Sequence, residues 1–367
     1  MSQTSPEQHV ITEVRGRVGS ITLNRPRALN ALTLQMIRDI TAALIAWRDD
    51  AHVLAVVVRG MGKEGPFGAF CAGGDIRFFH QAALAGNPAL ENFFTEEYAL
   101  NHLVHTYPKP YIAFMDGIVM GGGMGISQGA SLRIVTERSQ LAMPETGIGL
   151  FPDVGGGYFL SRCPGRMGEY LALTGQVLGA ADALAVGLAD AQMDSGRLAG
   201  LWESLGQTPY ESGEAVQRWC MNHTQKVPAR ASAANTELEQ VFALETVQAM
   251  VQALEASSST WAGDTAALLR KRSPLMLHVV LEQVRRARGM GLADELRMER
   301  DMVRHCFQLR PGLQSETVEG IRALAVDKDH APRWNPARIE DVTAEQVAEF
   351  FKNPWPAHAH PLRELGR

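Results

Sequence analysis

Residues 111–136, YIAFMDGIVMGGGMGISQGASLRIVT, decide the fold class of this chain. The segment begins with an apolar run at 111–115 and ends with a second run, rich in β-branched residues, at 132–136. Both runs are too short for helices and have the composition of strands. The glycine-dense stretch between them, 117–129, has room for a tight turn and a short helix. The segment therefore predicts two strands of a sheet joined by a compact connection.

The same alternation continues upstream. Residues 9–14 and 18–23 alternate in polarity around a turn at 15–17, which predicts a β-hairpin. Residues 53–60 form a continuous apolar run closed by glycine, as expected for a buried parallel strand. Helical spacing occupies 32–47 before this strand, and a helix is expected at about 90–106 after it. The order of strands and helices is that of an α/β protein.

The pattern becomes helical after about residue 195. Val247, Met250, Val251 and Leu254 recur at the spacing of one buried helix face, and helices are also expected at 274–288 and 294–307. The proline and tryptophan pairs at 334–336 and 354–356 predict an extended tail. We therefore divide the sequence into a core, 1–200, and a mainly helical C-terminal region with an extended tail, 201–367.

Composition excludes several classes of function. The 367 residues carry 35 basic and 40 acidic side chains, a net charge of -5, which provides no electrostatic footprint for nucleic acid or for an anionic membrane. No apolar run approaches the ~18 residues of a membrane span. The four cysteines form no CxxC pair, and the polar residues 1–10 resemble neither a secretory signal nor a transit peptide. These features predict a cytoplasmic protein.

Two glycine clusters offer backbone N–H groups to a ligand. Gly73 and Gly74 follow an apolar run and precede Asp75, which suits the start of a helix. The triplet 121–123 precedes a second apolar stretch, where exposed N–H groups would favour a developing negative charge. An ordinary loop and a flexible turn are the alternative interpretations. Neither cluster matches a dinucleotide or P-loop fingerprint.

Two carboxylates lie eight residues apart in an otherwise uncharged stretch, at Glu145 and Asp153. Apolar surroundings raise the pKa of a carboxyl group, which suits general acid–base chemistry. Alternatively, Glu145 caps a helix or pairs with an arginine. No His or Cys spacing indicates a metal site, so we expect neither a metal nor a redox cofactor.

A competing motif overlaps the second glycine cluster. Residues 125–129 match G-x-S-x-G, in which Ser127 would be the nucleophile of an α/β-hydrolase. That motif requires a strand running directly into the serine, whereas glycines precede Ser127 here. A position inside a helix is therefore expected for Ser127. Basic residues at 270–272 and 285–288 are expected on helices, as solvated faces or as contacts for a ligand with several phosphates.

Taken together, these motifs resemble the crotonase (enoyl-CoA hydratase/isomerase) superfamily. The matching segments occur in the family's order, at 21–26, 28–32, 71–76 and 120–123. Within the superfamily, the chain is most similar to hydrolases of short 3-hydroxyacyl-CoA thioesters. That second resemblance runs nearly end to end, through 96–98, 143–146, 149–160, 319–329 and 333–336. It implies a spiral of ββα units followed by a helical C-terminal region.

The resemblance also implies roles for individual residues. The N–H groups of Gly74 and Gly122 would form an oxyanion hole for the thioester carbonyl. Glu145 would activate water or attack that carbonyl, and Asp153 would orient the substrate hydroxyl or assist proton transfer. The remaining substrate contacts would be Glu97, Ala28, Ala72, Gly73, Asp75 and Ile76.

One departure from the family favours hydrolysis over hydration. A hydratase carries a catalytic glutamate two residues after the glycine triplet, where this chain has Gly125. The expected reaction is hydrolysis of a short 3-hydroxyacyl-CoA in branched-chain (valine) catabolism, with coenzyme A as part of the substrate. The alternatives are a hydratase or isomerase with rearranged acids and a non-catalytic CoA- or RNA-binding relative. The superfamily also makes a homo-oligomer a candidate assembly.

Overall fold

The computed structural model describes residues 8–225 and 236–367. Residues 1–7, most of the polar segment on which the cytoplasmic prediction rests, lie outside this range. The strands are β1 Val10–Arg15, β2 Val18–Leu23, β3 Ala55–Gly60, β4 Tyr111–Met115, β5 Ile118–Met120, β6 Leu132–Val135, β7 Gln140–Ala142 and β8 Ala191–Gln192. The helices are α1 Leu34–Arg48, α2 Ile76–Ala85, α3 Ala89–His105, α4 Gly122–Gln128, α5 Gly156–Leu160, α6 Met167–Thr174, α7 Ala180–Ala185, α8 Leu198–Gln207, α9 Gly213–Asn222, α10 Thr236–Phe242, α11 Val247–Ala256, α12 Thr260–Leu269, α13 Pro274–Ala287, α14 Leu292–Gln308, α15 Glu316–Ile321 and α16 Ala344–Glu349.

The chain forms two compact units, and both are discontinuous in sequence. The first comprises 1–74, 103–141 and 178–230, and the second comprises 75–102, 142–177 and 231–367. The sequence predicts one division, after residue 200, where its pattern changes. That position as a domain boundary stays a prediction.

A six-stranded sheet is the framework of the first unit. Its strand order is β1-β2-β3-β4-β6-β8, and every pair except the β1–β2 hairpin is parallel. β2 and β4 are buried along their whole length, because apolar side chains cover both faces of a parallel sheet. β5 and β7 form a separate two-stranded sheet. The α/β class and the predicted strands are confirmed.

The second unit is almost entirely helical. α13 packs against α5 and α6, and α14 packs against α5 and α15. α13 begins at Pro274 behind the cap Ser273, whose hydroxyl accepts the N–H of Met276. The predicted face of α11, Val247, Met250, Val251 and Leu254, is fully buried. The helical C-terminal region is therefore confirmed. No helix within the described parts of the chain is long and apolar enough to cross a membrane.

The prediction of an extended tail is wrong in part. The tail contains α16 and 3-10 turns at Ile339–Asp341 and Ala357–Ala359. The side chains of Thr343 and Gln346 cap each other's backbone N–H groups, which starts α16. That capping box is visible in the sequence, but the prediction rested only on the prolines and tryptophans at 334–336 and 354–356.

Candidate active site

The two glycine clusters run side by side in the first unit. The N–H of Cys71 donates to the carbonyl of Ile118 at 2.9 Å, and the N–H of Met120 donates back to the carbonyl of Cys71 at 2.9 Å. An ideal Cβ built on Gly73 would lie 3.6 Å from the nitrogen of Gly122. Because of this short ladder, the amides of residues 73–74 and 122 are brought into one small region.

The amides of Gly74 and Gly122 are available to a ligand. Gly122 is the first residue of α4, where backbone N–H groups have no partner inside the helix. Across the described residues, neither amide donates a hydrogen bond to a protein group. Two such donors pointing at one carbonyl oxygen would stabilise its negative charge. The geometry thus supports the predicted oxyanion hole, whose role stays a prediction.

A turn at residues 28–31 holds the first glycine cluster from its other side. Leu29 and Asn30 both adopt left-handed backbone conformations, with φ of 51° and 57°. The buried amide of Asn30 stabilises this turn by donating to the carbonyls of Met61 and Ala69 at 2.9 and 2.8 Å. The carbonyl of Leu29 then accepts the N–H of Ala72 at 3.0 Å. Ala28 therefore lies next in sequence to the backbone partner of Ala72, and the predicted contacts of both residues with the substrate stay predictions.

Helix α4 excludes the serine-nucleophile alternative. Ser127 is fully buried inside this helix, and its hydroxyl donates to the carbonyl of Gly123 at 2.8 Å. The strand-to-serine turn that the nucleophile motif requires is absent from this described segment. Gly125 lies in the same helix, so the position of the hydratase glutamate carries no side chain.

Asp75 and Ile76 begin α2 in the second unit. The carboxylate of Asp75 accepts the N–H of Phe78 at 3.3 Å, which confirms it as the cap of this helix. Ile76 is the first helical residue. Their predicted contacts with the substrate stay predictions.

Glu145 opens a short 3-10 turn, Glu145–Ile148, that several helices hold in place. The hydroxyl of Thr146 donates to Leu173 at 3.0 Å, and its carbonyl accepts the N–H of Ser273 at 3.1 Å. Gly149 ends the turn with a φ of 68°, where a Cβ would lie 2.3 Å from the carbonyl oxygen of Glu316. The turn is thus rigidly positioned, and it buries Glu145 with its Oε2 atom unpaired among the described residues.

Asp153 lies in the loop between this turn and α5, and it meets α3. The hydroxyl of Tyr98 donates to Asp153 Oδ2 at 2.9 Å, and both side chains are buried. Glu97 is adjacent on α3 and is also buried, with Oε1 unpaired within the described residues. The structure therefore gathers Glu97, Glu145 and Asp153 in one acidic cluster of the second unit.

Burial and repulsion from neighbouring carboxylates raise the pKa values of all three acids. For Glu145 the pKa rises well above its usual value because of burial, and the charge of Asp153 adds to this. The pKa of Glu97 is raised in the same way by burial and by Asp153 and Glu145. Burial and the charge of Glu299 raise the pKa of Asp153 to about 7, against the opposing hydrogen bond from Tyr98. Acids of this kind exchange protons near neutral pH.

Most of the predicted basic patches are engaged within the second unit. Arg270 pairs with Glu255 and Glu340, Arg286 pairs with Glu282, and Arg288 pairs with Glu169. Arg272 donates to the carbonyl of Thr174. Arg270, Arg286 and Arg288 are also exposed, so they fit the interpretation as a solvated face, and a contact with phosphates stays a prediction.

Sequence reasoning assigned no role to Tyr98, although it lies in a motif shared with the hydrolases. It also missed Gln283 and Glu299, which hold the loop of Asp153. Nothing in their local sequence sets these two apart from other polar residues on helices. Among the described residues, no group of three His, Cys, Asp or Glu side chains is arranged to hold a metal ion.

Two sets of findings place the chain within a known class of α/β proteins. The family model for enoyl-CoA hydratase/isomerase matches residues 18–351. The chain therefore belongs to the enoyl-CoA hydratase/isomerase family. It is 38% identical over 359 residues to 3-hydroxyisobutyryl-CoA hydrolase, mitochondrial, of Rattus norvegicus, covering 96% of this chain and 91% of that protein. The human protein of the same name is 38% identical over 356 residues, covering 95% and 90%.

Solved structures share the whole fold. A structure described as a carnitinyl-CoA dehydratase from Mycobacterium thermoresistibile is 36% identical, with a TM-score of 0.86, and covers 98% of this chain and 100% of that one. A structure described as an enoyl-CoA hydratase from Rhodobacter sphaeroides is also 36% identical, with a TM-score of 0.84, and covers 95% and 98%. The expected crotonase-type fold is confirmed.

Proposed function

We propose that this protein hydrolyses 3-hydroxyisobutyryl-CoA to the free hydroxy acid and coenzyme A. The observation that carries the proposal is the buried cluster of Glu145 and Asp153, in a chain whose family oxyanion motif lacks the hydratase glutamate. The named relatives, at 38% identity over nearly the full chain, support the same reaction. The hydroxy acid is an intermediate of valine catabolism, which is the pathway we propose.

The oxyanion hole supplies the electrostatic part of the reaction. When a nucleophile attacks the thioester carbonyl, negative charge develops on its oxygen. The N–H groups of Gly74 and Gly122 donate to that oxygen and stabilise the charge, each contributing about 3 kcal/mol to the lowering of the barrier. Their backbone origin makes these donors independent of pH.

Glu145 supplies the nucleophile in one of two ways. As a general base it takes a proton from water, whose oxygen bonds to the carbonyl carbon. As a nucleophile its own carboxylate bonds to that carbon, and water then hydrolyses the mixed anhydride. In both routes the C–S bond breaks and the thiolate of coenzyme A leaves and takes up a proton. Both require an ionised Glu145.

Asp153, held by Tyr98, orients the 3-hydroxy group or assists proton transfer, and Glu97 contacts the same substrate. Since the pKa values of these acids are raised, protonated and ionised carboxyls coexist near neutral pH. A protonated carboxyl donates to a hydroxyl oxygen, and an ionised one accepts from a hydroxyl. The cluster therefore suits a substrate with a hydroxyl near the thioester.

The second candidate function is hydration of an unsaturated acyl-CoA. Two solved structures with the same fold are described as a hydratase and a dehydratase, which favours this candidate. Adding water across a double bond requires two placed carboxylates, and Gly125 stands where the family has one of them. We therefore place hydration second.

A side-by-side assay on the wild-type protein separates the two candidates. Hydrolysis releases a free thiol from 3-hydroxyisobutyryl-CoA, whereas hydration lowers the absorbance of an unsaturated acyl-CoA without thiol release. We expect thiol release across short 3-hydroxyacyl-CoA thioesters and little release from the corresponding acyl-CoA thioesters without the hydroxyl. Absorbance loss alone would replace this proposal with the hydratase.

The compartment is a separate proposal. All four cysteines are buried thiols outside any disulfide, as expected in a reducing environment such as the cytoplasm. Cell fractionation with antibody detection tests this directly. Recovery with an organelle rather than with the cytoplasmic fraction would contradict it.

A further inference from the structure

The loop that carries Asp153 has an unusual backbone. Val154 adopts a left-handed conformation with a φ of 59°, and Gly155 follows with a φ of 85°. A β-branched residue rarely adopts this conformation, because its Cβ substituents crowd the backbone. Such a conformation persists only where surrounding contacts hold it. The contacts that hold this loop therefore also fix Asp153.

Glu299, on α14, provides two of these contacts. Its Oε2 accepts the N–H of Gly155 at 2.8 Å, and its Oε1 accepts the N–H of Gly157 at 3.1 Å. These amides belong to the first turn of α5, so they have no partner inside that helix. One fully buried carboxylate thus caps the helix that follows Asp153.

Gln283, on α13, holds the other side of the loop. Its Nε2 donates to the carbonyl of Pro152 at 2.8 Å and to Oε1 of Glu299 at 3.1 Å. Pro152 and Gly155 lie on opposite sides of Asp153 and Val154. The backbone is therefore tied on both sides of the strained residue by two side chains that also bind each other.

Glu295 lies one helical turn before Glu299 and is fully buried beside it. An ideal Cβ on Gly157 would lie 2.4 Å from Glu295 Oε1, so the loop packs closely on this carboxyl. Burial and the neighbouring Glu295 raise the pKa of Glu299 well above its usual value, and burial raises the pKa of Glu295 to about 7. Two adjacent buried carboxyls avoid repulsion by sharing one proton.

Other charged and titratable groups act on the same loop. The charge of Arg162 lowers the pKa of Glu295, and the charge of Glu299 raises that of Asp153, Glu97 and Glu145. Tyr98 opposes Glu299 at Asp153 by donating a hydrogen bond. Glu299 is thus coupled to Asp153 both through the backbone and through its charge.

We infer that Glu299 and Gln283 are positioning residues that hold the carboxyl of Asp153 in place for the reaction. Their part in catalysis rests on the proposed hydrolysis, whereas their hold on the loop does not. Neither residue supplies a proton to the substrate in this proposal.

Glu299→Gln tests the inference with little change in size. The new amide group keeps one acceptor but directs a donor at the second backbone N–H. We expect hydrogen exchange at residues 153–160 to become at least about tenfold faster. We also expect kcat to fall about 10- to 100-fold with KM within about twofold, because a displaced acid slows the reaction more than it weakens binding.

The pH profile separates positioning from a general loss of stability. Glu299 carries only a share of the negative charge of the Glu295–Glu299 pair, and glutamine removes that share. The pKa of Asp153 therefore falls, and the rising limb of kcat against pH moves to lower pH. Glu169→Gln is the matched control, since Glu169 is a fully buried carboxylate that pairs with Arg166 and Arg288 in the same unit. This control should lose stability, whereas its hydrogen exchange at 153–160 and the midpoint of its kcat against pH should match those of the wild type.

Gln283→Met keeps the inference testable if Glu299→Gln does not fold. It removes both donated hydrogen bonds and preserves an unbranched side chain, so exchange at 153–160 should again become faster and kcat should fall. Unchanged exchange in the folded variants, or equal effects in Glu169→Gln, would overturn the inference. The wild-type protein could also release no thiol while both variants still show faster exchange. That result would support the hold of Glu299 and Gln283 on the loop of Asp153 and would refute the proposed hydrolysis.

Discussion

At the scale of single residues, the burial of Asp153 and Glu145 determines the pH range of the reaction. Glu145 must be ionised to act as a base or a nucleophile, and its pKa is raised by burial and by Asp153. The pKa of Asp153 itself is about 7. We therefore expect two contributions to the rise of kcat with pH. Glu145 ionises above the range of unperturbed carboxyls, about 4, and Asp153 ionises at about 7, which gives the limb at that pH. Full activity at pH 5 would contradict this electrostatic description.

Tyr98→Phe should move that limb to higher pH. The hydroxyl of Tyr98 stabilises the ionised form of Asp153, so its removal raises the pKa of Asp153 further. This shift is opposite in direction to the one expected for Glu299→Gln. Both are measured as the midpoint of kcat against pH, and the same direction of shift in the two variants would refute the assignment of the limb to Asp153.

The sequence predicted the acids but not their surroundings. Glu145 and Asp153 stand out because the stretch around them carries no other charge, and the glycine pairs stand out by composition. Tyr98, Gln283 and Glu299 come from distant helices, and nothing local marks them as neighbours of Asp153. Contacts over 55 and 144 residues depend on packing, which periodicity alone does not specify.

At the scale of secondary-structure elements, the junction of β5 and α4 depends on Gly123. A Cβ at this position would lie 2.3 Å from the carbonyl oxygen of Cys71. Gly123→Ala should therefore push apart the two segments that carry Gly74 and Gly122. We expect thiol release to fall at least about 100-fold, the cost of losing one oxyanion donor, together with a lower unfolding temperature.

Gly200→Ala is the matched control for this substitution. Gly200 lies within α8, and a Cβ there meets no atom within 4 Å. Alanine favours a helix over glycine, so the control should keep full activity and gain about 0.5–1 kcal/mol in the free energy of unfolding. Equal activity of both alanine variants would contradict the role given to the β5–α4 junction.

Elements with a strong local signal were predicted well. α1, α3, α13 and α14 end within two residues of their expected bounds, because each has an amphipathic pattern or a clear cap. α16 was not predicted, because the prolines and tryptophans on either side of it indicate an extended tail and its signal is only a short capping box. Its helical state is stabilised by the cap rather than by an apolar face, since none of its residues is buried.

At the scale of the whole molecule, the buried acids reduce stability as pH rises. Carboxyls in the unfolded chain are ionised above about pH 5, whereas Asp153 and Glu295 lose their protons only near pH 7. The native state therefore binds more protons than the unfolded state between these values, and its free energy of unfolding falls as pH rises. The unfolding temperature should show this loss of stability between pH 5 and pH 7.

A comparison with Glu295→Gln isolates this effect. His80 and His278 have pKa values lowered by burial, so they add stability as pH rises and act in the opposite direction. Their contribution is the same in both proteins. The wild type should therefore lose more stability from pH 5 to pH 7 than the variant, as measured by thermal unfolding. Parallel curves for the two proteins would refute the proton sharing between Glu295 and Glu299.

The division of the whole chain was the part least accessible to the sequence. Periodicity changes once, near residue 195, but the helices at 75–102 and 142–177 join the C-terminal helices in one unit. Periodicity reports the state of each segment and not its partners. The segment 142–177, which carries Glu145 and Asp153, thus belongs by its contacts to the helical second unit. By sequence it lies within the predicted core, 1–200.

Hydrolysis that depends on Glu145 is the central claim, and thiol release from 3-hydroxyisobutyryl-CoA by wild type and Glu145→Ala tests it most directly. Because the substitution removes the carboxylate that delivers the oxygen nucleophile, we expect kcat to fall about 1000-fold while the variant remains folded. A wild type that releases no thiol, or a folded Glu145→Ala variant that releases it at the wild-type rate, would contradict the claim.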